Sequence, residues 1–141
     1  MHPLKDSDWL YLFLAFSISA LASAGSLFFS EVMLFMPCVL CWYQRIAMYP
    51  LCVLLLMALL RKETYILPYA FALAGIGGMI SLYHNLLHWG IIPEDMSPCV
   101  QGVPCSTVYI NYLGFITIPF LSLCSFLAII GVLAALRSRL R

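Results

Sequence analysis

Long apolar runs, broken by single charges or short charged clusters, set the pattern of this chain. Four windows carry almost no charge: Trp9 to Ser30, Val32 to Leu60 with Arg45 as its one interruption, Thr64 to Pro93, and Met96 to Leu136. A membrane-spanning helix needs about 20 mostly apolar residues. Inside a bilayer the backbone must bond within its own segment, which favours helix over open strand. The pattern predicts spans near 9–29, 40–60, 65–87 and 113–136. No repeat, low-complexity tract or linker separates them, so residues 1–141 read as one all-α domain, an integral membrane four-helix bundle.

Composition agrees. Of the 141 residues, 64% are hydrophobic and 9% charged, against about a quarter charged in ordinary soluble domains. The net charge of +1 gives no reason to expect a nucleic-acid partner. The first window has a rival reading, because Ala22-Ser23-Ala24 resembles a signal-peptidase site. Against it, Lys5 is mixed with Asp6 and Asp8, and apolar residues continue through Phe29.

The placement of basic residues gives the orientation. Lys5 precedes the first span, Arg61 and Lys62 lie between the second and third, and Arg137, Arg139 and Arg141 follow the fourth. The other two loops hold Glu31, Glu94 and Asp95 but no Lys or Arg. Both termini are therefore expected in the cytoplasm. The loops at 30–39 and 88–112 are expected outside, as in a multi-pass protein of a bacterial plasma membrane.

Topology sorts the six cysteines. Cys38 and Cys41 form a C-x-x-C at the outer mouth of span two, and Cys99 and Cys105 sit in the second outward loop. Two local pairs thus face the compartment where disulfides persist. A C-x-x-C at a helix start suits redox chemistry, because free N–H groups and the helix dipole favour thiolate. Arg45, four residues after Cys41, shares its helical face. The competing readings are a structural disulfide or half of a zinc site. Pro98, Gly102 and Pro104 mark the second pair as an exposed, turn-rich loop, open to another protein or simply stapled. Cys52 and Cys124 lie inside spans, where free cysteine packs as a small buried hydrophobe.

Arg45 needs a reason, since charge inside a bilayer is costly. It is either an interfacial anchor reaching the headgroups or a donor facing a polar ligand in the bundle. A quinone carbonyl fits the second role, because its oxygens gain negative charge on reduction. His84 and His88 stand four residues apart and could face one site, a spacing that can bind metal, but no metal is expected. Gly75, Gly77 and Gly78 read as close helix packing.

The stretch from Glu31 to Arg45, with Pro37-Cys38-Val39-Leu40-Cys41, the following aromatics and Arg45, resembles the signature of the DsbB/BdbC disulfide-bond-formation proteins. The run Tyr112-Leu113-Gly114-Phe115-Ile116-Thr117-Ile118-Pro119 resembles that family's entry to its last span. The likeness covers nearly the whole chain. Only five residues separate Cys99 from Cys105, as in the short-loop, BdbC-like branch. That departs from the long loop of the best-known Gram-negative members and puts in question any rearrangement needing a long mobile segment. In the vitamin K epoxide reductase type the loop cysteines precede the C-x-x-C, the reverse of the order here.

The resemblance implies roles. Cys99 takes the mixed disulfide with an extracytoplasmic thioredoxin-fold thiol oxidase of the DsbA/BdbD kind, and Cys105 communicates with Cys38. Cys41 lies nearest a membrane quinone, menaquinone or ubiquinone, with Arg45 beside the ring. His84, in Leu82-Tyr83-His84-Asn85, matches a family histidine near the quinone. The implied activity is a protein-disulfide:quinone oxidoreductase that supports disulfide formation in exported proteins. The competing class is a non-catalytic four-helix subunit whose outward disulfides are structural.

Overall fold

The computed structural model describes residues 5–99, 104–106 and 116–141. Four long helices dominate it: α1 Asp6–Glu31, α2 Val39–Arg61, α3 Leu67–His88 and α4 Ile118–Leu140. A 3₁₀ turn, Glu94–Met96, lies in the connection after α3. At 1.5 Å per residue, helices of 22 to 26 residues are roughly 33–39 Å long, enough to cross a hydrocarbon core of about 30 Å. All four are long and apolar enough to span a membrane.

Local chemistry sets the helix ends. Pro68 and Pro119 occupy the first turns of α3 and α4, where a missing N–H costs nothing and the fixed φ suits the helix. For α4 this moves the start from the expected residue 113 to Ile118, with the end at Leu140; residues 113–115 lie outside the described residues. α2 stops where Lys62 turns left-handed, with φ 54°. α3 closes with Gly90 at φ 73°. There the Gly90 N–H donates to Leu87 O at 3.2 Å and the Ile91 N–H to Leu86 O at 3.0 Å. This paired arrangement uses up the last helical carbonyls. Pro50 sits inside α2 and is accommodated on its exposed side.

Each helix packs on two neighbours, in the cyclic order α1, α2, α3, α4 and back to α1. The inward stripes are narrow. On α1 they are Leu12, Ala15 and Ser19, on α2 Leu51, Leu55 and Ala58, and on α4 Phe126, Ile129, Leu133 and Leu136. α3 contributes small residues, Ala70, Ala74, Gly77, Gly78 and Ser81, which let its neighbours approach closely. The ring of Phe126, fully buried, lies where a Cβ on Gly77 would sit. Gly75, expected to do the same, faces open space, because it lies off the inward stripe.

The outward faces remain apolar: Leu21 and Leu60 are 74% exposed and Met79 is 73% exposed. Lipid, not water, is the solvent that matches such a surface. Cys52 is half-buried and Cys124 exposed. The expectation that both are buried is corrected, since their positions fall on the flank and outer face of their helices.

Candidate active site

The end of α1, the start of α2, the end of α3 and the start of α4 converge at one end of the bundle. Hydrogen bonds tie them together there. Arg45 of α2 reaches α1, with Nε donating to Ser26 Oγ at 2.7 Å and Nη2 to the Ser26 carbonyl at 2.8 Å. Asn85 of α3 is fully buried and its amide donates to the Pro119 carbonyl at 2.9 Å. The Ser81 hydroxyl donates to the same carbonyl at 3.2 Å. The first turn of α4 is thereby fixed against α3. The Tyr83 hydroxyl donates to Met96 O at 3.0 Å and holds the following loop to α3.

Cys38 is the N-cap of α2, in extended conformation just ahead of the spanning helix. Its sulfur lies 3.1 Å from that of Cys41 in the first turn. The Cys41 thiol beside it holds the Cys38 thiol well below its ordinary range, and the His84 ring adds to this; burial works in the opposite direction without overturning it. This setting favours the thiolate, which is the nucleophilic form.

His84 is 1% exposed and its two ring nitrogens have different partners. Nδ1 lies 3.0 Å from Gln44 Nε2, and Nε2 lies 3.2 Å from the Cys105 carbonyl and 3.8 Å from Cys38 Sγ. A carbonyl can only accept, so Nε2 carries the hydrogen. The Gln44 amide then donates to Nδ1 of a neutral ring, and both bonds are satisfied. The outcome is an N–H directed at the Cys38 sulfur and the Cys105 backbone.

Cys99 and Cys105 are joined in a disulfide, with Cα atoms 5.8 Å apart. The Cys38, His84 and Cys105 donor atoms all lie within 4.8 Å of one another. The two cysteine pairs are therefore adjacent. One expectation is corrected here: Cys99 and Cys105 are 7% and 4% exposed, not freely open, because they pack with Cys38, Leu40 and Leu87 in one apolar cluster. The neighbouring Pro98 and Pro104 are exposed. Residues 100–103 of this loop, including Gly102, lie outside the described residues. His84 and His88 do face one site, since both line the adjoining cavity. The grouped donor atoms around His84 are those of Cys38 and Cys105, and His88 is not among them.

That cavity has a volume of about 250 Å³ and lies among all four helices. Leu21, Phe29, Phe35, Met48 and Leu121 give it an apolar wall. Cys41, Gln44, Arg45, Tyr49, His84 and Thr117 supply its polar points. It is slightly smaller than the roughly 300 Å³ at which small-molecule pockets begin, so it suits a single flat ring system with a tail left in lipid. A thiol, a guanidinium and an apolar wall together fit a quinone head group.

The structure thus gathers Cys38, Cys41, Arg45, His84, Cys99 and Cys105 at one site. Sequence reasoning missed Gln44, Ser26, Tyr49, Thr117 and Asn85. The one available signal was polarity within an apolar span, and nothing along the chain told which neighbour each would meet.

Residues 7–136 match the family model described as Disulfide bond formation protein DsbB. The chain is 44% identical over 128 residues to "Disulfide bond formation protein C" of Bacillus subtilis, covering 91% of this chain and 93% of that protein. It is 47% identical over 118 residues to "Probable disulfide formation protein C 1" of Bacillus anthracis, covering 84% and 85%. It is 50% identical over 111 residues to "Probable disulfide formation protein" of Oceanobacillus iheyensis, covering 77% and 76%. No solved structure matches the chain significantly.

Proposed function

The chain belongs to the DsbB family of disulfide bond formation proteins, a multi-pass membrane family of thiol–disulfide oxidation, and on that premise we propose a specific electron path through it. Electrons enter from an extracytoplasmic thioredoxin-fold thiol oxidase of the DsbA/BdbD kind. They pass through Cys99–Cys105 and then Cys38–Cys41, and leave to a membrane quinone, menaquinone or ubiquinone. The observation that carries this reading is the approach of the Cys38 and Cys105 sulfurs to within 4.8 Å.

Thiol–disulfide exchange proceeds by thiolate attack and a mixed disulfide. A thiolate of the reduced partner attacks Cys99, and Cys105 leaves as thiolate. The partner's second thiolate displaces Cys99, so the partner departs oxidised and the loop holds a dithiol. Cys105 thiolate then attacks Cys38 of the Cys38–Cys41 disulfide, and Cys41 leaves as thiolate. Cys99 attacks Cys105, restores the loop disulfide and frees Cys38. The low thiol pKa of Cys38 and the His84 N–H make Cys38 a good leaving group in that last exchange. Two electrons now reside on the Cys38 and Cys41 sulfurs.

Cys41 and Arg45 would hold the quinone head group, which when bound supplies a two-electron, two-proton acceptor. Arg45 is pre-positioned by Ser26, so its charge faces the cavity without reorganisation. The basic end of the bundle, where Arg137 lies over Phe71 and Arg139 over Tyr11, faces the cytoplasm, and the cysteine end faces outward.

The test is quinone reduction by the purified protein with a reduced thioredoxin-fold donor. Turnover is expected in the natural protein and its loss in Cys41→Ser. Unchanged turnover in that variant would remove the central step and favour structural disulfides.

A further inference from the structure

Four buried side-chain oxygens have no hydrogen-bond partner among the described residues: those of Ser23, Tyr49, Asn85 and Thr117. Two of them, Tyr49 and Thr117, belong to residues that line the cavity beside Cys41 and Arg45. Thr117 is 3% exposed. It is the N-cap of α4, yet its side chain makes no capping bond. Threonine is favoured at that position because its hydroxyl accepts from the first turn. Here the hydroxyl forgoes that role. A buried tyrosine hydroxyl also normally finds a partner, and an orphaned one destabilises the fold. Two such losses on the wall of one cavity indicate a ligand that repays them.

We propose that Thr117 and Tyr49 are the hydrogen-bonding residues that orient and select the quinone head group in this cavity. The inference rests on the quinone reading above and adds residues to it. Their chemistry suits the acceptor better than more cations would. A quinone oxygen accepts hydrogen bonds, whereas the corresponding quinol oxygen can also donate. Arginine only donates, but a hydroxyl does both. Thr117 and Tyr49 can therefore engage the ring before and after it is reduced, while Arg45 favours the build-up of negative charge.

The test pairs Thr117→Val and Tyr49→Phe, both close in shape to the native residues, with decylubiquinone and menadione as probes. Quinone KM should rise about 3- to 10-fold in each variant, the scale of one lost hydrogen bond, and KM for the thiol donor should stay unchanged. The ligand-free Tm should hold or rise, since an unsatisfied hydroxyl is removed. The upward shift of Tm caused by decylubiquinone should shrink. An unchanged quinone KM would overturn the proposal, as would a fall in ligand-free Tm with the quinone-induced shift retained. If the natural protein neither reduces nor is stabilised by either quinone, the quinone reading itself fails, and this proposal fails with it.

Discussion

The Cys38 and Cys105 sulfurs, 67 positions apart in the numbering, lie within 4.8 Å of each other, with the His84 ring nitrogen inside the same radius. The contact joins the mouth of α2 to the loop after α3. It places the two cysteine pairs side by side, as the proposed relay requires.

The first concerns pH. The Cys41 thiol and the His84 N–H favour Cys38 as thiolate, so its ionised form persists on acidification well below the ordinary thiol pKa of about 8.5. In protein with the C-x-x-C reduced, Cys38 should be alkylated by iodoacetamide at a nearly constant rate from pH 8 down to about pH 6, a range in which an ordinary thiol loses reactivity about tenfold per pH unit. Rates are read by mass spectrometry of the Cys38 peptide. A tenfold fall per unit across that range would show that the thiol is not depressed.

The second concerns Gln44. Its amide fixes the His84 tautomer by donating to Nδ1 at 3.0 Å. Gln44→Ala should slow exchange between the loop dithiol and Cys38–Cys41 by about 3- to 10-fold, the scale of one hydrogen bond. Attack of the reduced partner on the loop disulfide should be unaffected. Stopped-flow thiol trapping separates the two steps, and equal slowing of both would point to general disruption instead.

The third concerns Arg45. Its two bonds to Ser26 and its stack 5.4 Å over Trp42 aim it across the bundle beside the cavity. Arg45→Ala should raise the quinone KM and lower kcat together, because both binding and charge stabilisation are lost. A loss of about 2–4 kcal/mol in kcat/KM is expected for a preorganised donor. Exchange with the thiol donor should survive. An unaltered quinone dependence would reduce Arg45 to an interfacial anchor.

Much of this was legible in the chain. Uncharged windows revealed all four helices, because a bilayer tolerates little else. Pro37-Cys38-Val39-Leu40-Cys41 and Arg45 were visible because redox chemistry and buried charge each need a special residue in an apolar setting. The start of α4 was misplaced, since apolar residues precede it and only Pro119 and its bonds to Ser81 and Asn85 set the turn. Burial of the Cys99–Cys105 bond was also invisible. A loop rich in Pro and Gly reads as exposed, and only the fold shows its two cysteines packed with Leu40 and Leu87. Gln44, Tyr49 and Thr117 went unmarked for the same reason, because their importance lies in partners, or missing partners, brought together across helices.

The most direct measurement is disulfide mapping of a Cys41→Ala, Cys99→Ala double variant in membranes, by non-reducing peptide analysis after mild oxidation. With their usual partners removed, Cys38 and Cys105 should bond to each other rapidly and in nearly every molecule. If both thiols stay free under conditions that oxidise the natural pairs, the sulfurs do not meet and the relay does not run between them.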